Sequence, residues 1–252
     1  LLDEPEAADI GTFIHELLED TFARFMNKRP VIDKAFEAYF LCELDIRFKE
    51  RLEKRMKSDS FLLKEILDAR MRDFLKNEKE RQVVMLLGLE QKFEGKIAFG
   101  KEEYSFMARV DRIDRLADGT VAVIDYKTGD VSHILPKAGI NFDSVQFSRE
   151  WIRDNIKSFQ LPLYLHFLDR KFPNEKTNAC LYDIRETGGR DLGLISLLKS
   201  ETDFSDKDRL MIEYFNGLGF IMNEIMSPDV EFTADDCNEH VCEYCPFGAL
   251  CK

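Results

Sequence analysis

Residues 122–130, AVIDYKTGD, begin with an apolar run that is interrupted by Asp125 and Lys127. The apolar residues around them are typical of a buried strand. Because successive side chains of a strand point to opposite faces, Asp125 and Lys127 share one face. Burying a carboxylate and an ammonium costs free energy unless they are paired or bind something. The strand therefore carries either a structural ion pair or a ligand site.

A hairpin joins this strand to the run before it. Residues 103–115 and 120–128 are both strand-like, and the sequence LADGT separates them. We expect a three-residue loop, 117–119, in which Gly119 takes the left-handed conformation common in such hairpins. Leu116 then faces Thr120.

That register brings a second carboxylate to the site. Counting back from the loop puts Asp111 opposite Asp125 and Arg109 opposite Lys127. A two-residue turn would shift the pairing by one and put the aspartates on opposite faces. Carboxylates at about 5 Å cross-strand spacing repel unless a cation lies between them, and Mg²⁺ or Mn²⁺ prefers such oxygen ligands. The alternative is a cross-strand ladder of ion pairs, Arg109 with Asp125 and Asp111 with Lys127.

The periodicity of the whole chain indicates an α/β domain with a mixed central sheet. The 252 residues, 44% hydrophobic and 33% charged, suit a globular protein of one large domain or two small ones. No apolar run reaches the length of about 20 residues that spans a bilayer, so we expect no membrane partner. The pattern is helical over 11–88, alternates from Glu90, and predicts further elements at 158–171 (helix), 177–186 and 192–198 (strands), and 206–226 (helix).

Net charge and cysteine use bear on the class of protein. A formal net charge of −12 disfavours a free-standing nucleic-acid binder, although a metal-dependent nuclease must carry acidic residues and a partner can supply basic ones. Of six cysteines, four lie in the last 16 residues, which indicates a metal or cluster site in a reduced, cytoplasmic protein. Cys42 and Cys180 are predicted to be buried thiols.

Four short motifs carry a resemblance to a known family. They are GTFIHE at 11–16, RVDRIDR at 109–115, Asp-Tyr-Lys at 125–127 and QLPLY at 160–164. Their types and order resemble the RecB-like branch of the PD-(D/E)XK nuclease superfamily. The resemblance covers residues 11–16 and about 90–170 and implies a restriction-endonuclease-like core. The helical stretch 31–88 does not match the family, so we expect it to be an N-terminal helical insertion. We expect a single nuclease domain over 1–252, divided into a motif helix (11–30), the helical insertion (31–88), the catalytic core (89–200), and a C-terminal helix with a cysteine tail (201–252).

The resemblance also implies a catalytic set. Asp111, Asp125 and Lys127 would be catalytic, and Mg²⁺ or Mn²⁺ would be held by His15, Asp111, Asp125 and the backbone carbonyl of Tyr126. Such an ion lowers the pKa of bound water and neutralises phosphate charge. Lys127 would orient or deprotonate the water, or stabilise developing negative charge.

Three further positions are supporting residues. The resemblance implies that Gln160 and Tyr164, which share a helix face, line a DNA groove near the metal. Glu90 matches an acidic position of the branch, although Glu94 lies on the same strand face. Without the resemblance, the helix pair would be surface residues and His15 an ordinary histidine at a helix start.

The last residues contain Cys242, Cys245 and Cys251 in the spacing Cys-x2-Cys-x5-Cys. From spacing alone this is a zinc site with Cys237 or His240 as fourth ligand. AddB-type helicase–nuclease subunits have the same spacing, and the resemblance implies a [4Fe–4S] cluster whose fourth cysteine precedes the Gly-x-x-x-His motif. No cysteine lies there, and the chain begins without methionine, so we expect a fragment whose fourth ligand is upstream or is replaced by Cys237.

These observations lead to the expectation of a metal-dependent DNA exonuclease domain of a bacterial AddB/RecB-like helicase–nuclease. Its partners would be DNA and a helicase subunit or an upstream helicase-like domain, in double-strand-break repair. One alternative is a stand-alone DNA nuclease of the same superfamily. Others are a non-catalytic DNA-end-binding scaffold and a zinc-ribbon interaction protein with a purely structural Asp/Lys set.

Overall fold

The computed structural model describes residues 5–56, 60–137, 139–185, 192–231 and 233. In these ranges one five-stranded sheet is covered by helices on both faces, which confirms the predicted α/β architecture with a mixed sheet. No helix in the described ranges is both long enough and apolar enough to cross a membrane.

The described helices and strands follow the predicted order. The helices are α1 Ala7–Phe22, α2 Lys34–Arg51, α3 Ser60–Glu80, α4 Arg149–Asn155, α5 Gln160–Lys171, α6 Glu201–Ser205 and α7 Lys207–Met226. Short 3₁₀ turns lie at Ala23–Phe25 and Glu53–Arg55. The strands are β1 Val83–Phe99, β2 Glu102–Leu116, β3 Val121–Lys127, β4 Thr177–Asp183 and β5 Leu194–Ser196.

The sheet has the order β1-β2-β3-β4-β5. Only the β3–β4 pair is parallel, and α4 and α5 lie in its crossover connection. Every residue of β4, and every residue of β3 before its last, is buried. Continuous burial is expected of strands covered on both faces, and it explains why the charged residues of β3 need partners.

The β2–β3 hairpin has the predicted register. The Leu116 N–H donates to the Thr120 carbonyl (2.8 Å), and Gly119 has a φ of 86°. The paired residues run from Arg115–Val121 to Arg112–Ile124, as a three-residue loop requires. The loop chemistry therefore sets the strand register that the site depends on.

Two predicted boundaries are wrong. The helical insertion predicted for 31–88 ends as helix at Glu80, and β1 begins at Val83 rather than at Glu90. The sequence VVMLLGL over 83–89 is a short apolar run, and periodicity cannot distinguish a buried strand from a buried helix over that length. The motif helix predicted for 11–30 ends at Phe22, where the chain enters a 3₁₀ turn.

The prediction of a buried Cys42 is also wrong, whereas Cys180 is buried in β4. The buried residues of α2 are Phe36, Phe40, Leu44 and Phe48, which recur every four positions. Cys42 lies two residues from the nearest of them, so the 3.6-residue period turns it to the opposite, exposed face.

Two apolar cores lie on the two sides of the sheet. On one side α1, α2 and α3 pack a cluster of phenylalanines against Ile124 and Tyr126 of β3. On the other side α5 packs Leu161, Leu165 and Leu168 against alternate residues of the same strands. The alternation along β3 assigns Tyr126 to the first side.

A half-buried histidine in α5 makes stability depend on pH. The His166 ring is tilted against that of Phe215 (4.9 Å between ring centroids), and its buried Nε2 has no hydrogen-bond partner among the described residues. Burial, with a smaller effect of Arg170, lowers the pKa of His166 from its ordinary value of 6.5. Because the folded protein binds this proton less readily than the unfolded chain does, the free energy of unfolding falls as pH decreases from the unfolded-state pKa through the folded-state pKa.

We therefore expect the free energy of unfolding to fall less between about pH 8 and about pH 5 in His166→Phe than in the wild type. Urea denaturation at both values, for the wild type and the variant, measures this difference. Equal losses in the two proteins would contradict the prediction.

Candidate active site

Three side chains from different elements converge at one place. His15 of α1, Glu90 of β1 and Asp111 of β2 each present a ligand atom within 4.8 Å of the others. No other group of three or more potential ligands meets this criterion in the described part of the chain. Asp125 and Lys127 of β3 lie beside this triad. Asp111 and His15 both contact the backbone of Tyr126, the residue between them, and the charge of Asp111 acts on Asp125.

His15 faces oxygen atoms with both ring nitrogens. Its Nδ1 lies 3.2 Å from Asp111 Oδ1, and its Nε2 lies 3.0 Å from the carbonyl oxygen of Tyr126. Burial disfavours the charged ring, but the hydrogen bond and charge of Asp111 raise the pKa of His15 above its ordinary value. A Cβ at Gly11 would lie 3.3 Å from the Thr128 hydroxyl, so glycine lets the start of α1 approach the end of β3.

Asp111 joins β2 to β3 through its side chain. Its Oδ2 accepts the backbone N–H of Tyr126 at 2.6 Å, just beyond the last backbone-paired residues, Arg112 and Ile124. A hydrogen bond to an ionised acceptor is stronger than one between neutral groups. The carboxylate therefore fixes the backbone on which Asp125 and Lys127 stand.

Glu90 has an unusual backbone conformation for a strand. Its φ is 46°, a left-handed value that costs a non-glycine residue about 1–3 kcal/mol. It lies between the pairs of Leu89 and Gln91 with β2, next to Asp111. Burial and the charge of Asp111 raise the pKa of Glu90, and Arg109 Nε lies 2.7 Å from its Oε2. Such strain is typical of functional sites.

Asp125 is buried and held from both sides. Its Oδ1 accepts hydrogen bonds from Gln160 Nε2 (3.1 Å) and the Tyr164 hydroxyl (3.0 Å), and Lys127 Nζ lies 2.6 Å from its Oδ2. Gln160 Nε2 also donates to the Tyr164 hydroxyl at 2.8 Å. Burial and the charge of Asp111 raise the pKa of Asp125. Gln160 and Tyr164 therefore orient this carboxylate rather than being free surface residues.

The predicted alternative, a cross-strand ladder of ion pairs, does not form. Lys127 pairs with Asp125 on its own strand, and Arg109 pairs with Glu90 on β1. The carboxylate of Asp111 faces an imidazole and a backbone N–H. The negative charges of these carboxylates therefore lie close together and are only partly balanced by neighbouring positive charges.

The site fits a hard divalent cation. Carboxylate oxygens and an imidazole nitrogen are suitable ligands for Mg²⁺ or Mn²⁺, and the raised pKa values of Glu90 and Asp125 reflect repulsion and burial that a bound cation would offset. The convergent triad differs from the predicted set, because it contains Glu90 and leaves Asp125 bonded to its own partners. The Tyr126 carbonyl faces His15 at the same place.

A cleft of about 400 Å³ opens beside these residues. Its lining includes Glu19 and Arg109, which are not among the predicted site residues. One signal was available: Glu19 follows His15 by four residues and so lies on the same face of α1. Arg109 has a side chain that is 68% exposed at this cleft.

The predicted cluster ligands Cys237, Cys242, Cys245 and Cys251 lie outside the described residues, as does His240.

Comparison with known proteins identifies the family. The model of the PD-(D/E)XK nuclease superfamily matches residues 2–252. The chain belongs to this superfamily. A solved protein, described as "Crystal structure of SSO0001", is similar at 14% identity, with 96% of this chain and 95% of that chain covered and a TM-score of 0.28. No curated protein matches.

Whether Glu90 is a metal ligand can be measured directly. We expect Glu90→Gln to weaken Mn²⁺ binding at least about tenfold, because loss of a charged ligand costs about 1.4 kcal/mol or more. Isothermal titration calorimetry of the metal-free protein would measure the dissociation constant.

Glu94→Gln is the matched control. Glu94 stands on the same strand with a side chain that is 64% exposed, and it pairs with Lys92 outside the triad. Its substitution should leave Mn²⁺ affinity unchanged. Equal effects of the two substitutions would show that Glu90 is not a ligand.

Proposed function

We propose that this chain is a Mg²⁺- or Mn²⁺-dependent DNA exonuclease domain that hydrolyses phosphodiester bonds. Membership of a nuclease superfamily supports this proposal. The observation that carries it is the position of Lys127 at 2.6 Å from Asp125, beside Asp111 and the convergent triad.

His15, Glu90 and Asp111 would hold the ion, with Asp125 and the Tyr126 carbonyl as neighbouring oxygen donors. When bound, a divalent cation lowers the pKa of water and offsets negative charge on the phosphate.

Lys127 supplies the positive charge at the reacting face of β3. Its side chain is 27% exposed, so the ammonium is accessible to a phosphate or a water while Asp125 holds its position. There it can hold a proton of the attacking water or stabilise charge developing on the phosphate. Gln160 and Tyr164 keep Asp125 from rotating, because both donate to the same oxygen.

Arg109 suits a contact with the DNA backbone. Its guanidinium is anchored by Glu90 at 2.7 Å and otherwise exposed at the cleft. Because guanidinium groups bind phosphate through several donors, it can hold a phosphate next to the scissile one. Such a local cation is needed in a chain with a net charge of −12.

The finer assignment rests on the four motifs and their order. Their resemblance to the RecB-like branch supports exonuclease action on DNA ends, in the cytoplasm, with a helicase subunit or helicase-like domain in recombination repair. The acidic net charge supports a partner that supplies the basic track for DNA.

Cleavage of end-labelled linear DNA with Mn²⁺ tests the catalytic roles. We expect Asp125→Asn and Lys127→Met to lower the cleavage rate by about 10²-fold or more, because each removes an electrostatic contribution to the transition state. Circular dichroism should show an intact fold in both variants.

Lys92→Met is the control, since Lys92 is a surface residue of β1 that pairs with Glu94. It should cleave at the wild-type rate. Covalently closed circular DNA should resist the wild type if the enzyme needs ends, and its rapid cutting would contradict the exonuclease assignment. Undiminished cleavage by Asp125→Asn would contradict the catalytic assignment.

We further propose that Cys242, Cys245 and Cys251 bind a [4Fe–4S] cluster, with Cys237 or a thiolate from elsewhere as fourth ligand. Support comes from the spacing and from its resemblance to AddB-type subunits. Cluster ligation by thiolates is the ordinary arrangement.

Protein purified without air should contain iron and sulfide and be brown, and Cys245→Ser should lose both. Cys42→Ser is the control, because Cys42 is exposed on α2. Metal analysis that finds stoichiometric zinc and no iron would show that the cysteine tail is a zinc site.

A further inference from the structure

Four buried charged side chains form a closed ring behind the candidate active site. Arg81 donates to Glu78 Oε1 and Asp114 Oδ2, both at 2.7 Å. Arg112 donates to Asp114 Oδ1 (2.8 Å) and Glu78 Oε2 (2.9 Å). Each acid thus bridges the two arginines, and the four charges sum to zero.

The ring touches elements that carry candidate catalytic side chains. Arg112 follows Asp111 on β2, and its Nη1 donates to the Tyr126 hydroxyl of β3 at 3.3 Å. Its guanidinium also lies 4.8 Å from the ring centroid of Phe22 on α1, the helix that carries His15. One buried residue therefore contacts both α1 and β3 from its place on β2.

The ring is a poor device for stability alone. Its side chains are between 0% and 3% exposed, so all four charges have lost their hydration. Arg112 Nη2 has no hydrogen-bond partner among the described residues, which adds an uncompensated cost. Apolar residues of similar volume often replace such buried ion pairs without loss of stability. The contacts with the elements of the site suggest another role.

We propose that Arg112 is a positioning residue, through which the ring fixes the Tyr126 backbone and thereby Asp111 and His15. This inference rests on the proposed nuclease function, because the positioned groups are its candidate metal ligands.

Tyr126 is the link between the two sides of the sheet. On one side Arg112 holds its hydroxyl. At its backbone the N–H donates to Asp111 and the carbonyl oxygen faces His15 Nε2. A shift of the Tyr126 side chain that moves its backbone would therefore displace the atoms that contact Asp111 and His15, the two candidate ligands. Loss of Arg112 would also leave Glu78 and Asp114 with one arginine between them.

Arg112→Lys is the main test. Lysine keeps the charge but cannot contact Glu78, Asp114 and Tyr126 with a guanidinium fork. We expect the Mn²⁺ dissociation constant to rise and kcat to fall by about tenfold each, as for other residues that orient metal ligands. KM for DNA should stay within about twofold, because the groups that contact the rest of the substrate are unchanged.

Two further variants separate positioning from stability. Tyr126→Phe removes only the hydroxyl contact. If the tyrosine is the link, its Mn²⁺ dissociation constant should rise and its kcat should fall by about threefold each. Ile156→Val removes a methylene from the fully buried side chain of Ile156, which packs with Phe142, Ile152 and Tyr214 away from the ring. It should lower the thermal midpoint without changing Mn²⁺ affinity or kcat.

Amide hydrogen exchange at Tyr126 in the metal-free protein gives a readout independent of catalysis. We expect faster exchange in Arg112→Lys and Tyr126→Phe than in the wild type or Ile156→Val. Unchanged exchange and unchanged Mn²⁺ affinity in Arg112→Lys would overturn the inference. If that variant does not fold, the same two measurements on Tyr126→Phe decide.

A wild-type protein that neither binds Mn²⁺ nor cleaves DNA would overturn the proposed function, and the positioning role with it. A wild type that does both, together with an Arg112→Lys variant that equals it, would overturn the positioning role alone.

Discussion

The hydrogen bond from the Tyr126 backbone to the Asp111 carboxylate connects the sheet to the candidate site. The β2–β3 backbone pairing ends at Arg112 and Ile124, and the side chain of Asp111 takes over as the next partner. The same carboxylate faces His15 of α1. One carboxylate therefore connects the end of the β2–β3 pairing, the helix α1 and a candidate ligand.

The two sides of the sheet balance charge in different ways. Behind the site, two arginines and two acids neutralise one another within the protein. At the site, the acidic groups Glu90, Asp111 and Asp125 have partial compensation, and two of them have raised pKa values. The partial compensation at the site suits a divalent cation and a phosphate substrate.

The helical insertion is part of this arrangement. Together with α1, its α2 and α3 helices supply the phenylalanine core that covers one side of the sheet, and α3 also supplies Glu78 to the buried ring. The insertion therefore excludes water from the ring and closes it. Its sequence did not reveal this, because Glu78 lies in a helix rich in charged residues of which most face solvent.

The sequence by itself determined the strand at 121–127, the hairpin register and the approach of Asp111 to Asp125, because turn chemistry and side-chain alternation are local properties. Tertiary structure decided the left-handed Glu90 and the bonds from Gln160 and Tyr164 to Asp125. It also decided which charged residues are buried, since sequence spacing cannot show which carboxylates and guanidinium groups lose water together. Only the packing of α1, α3 and α5 against the sheet removes that water, and their partners are remote in sequence.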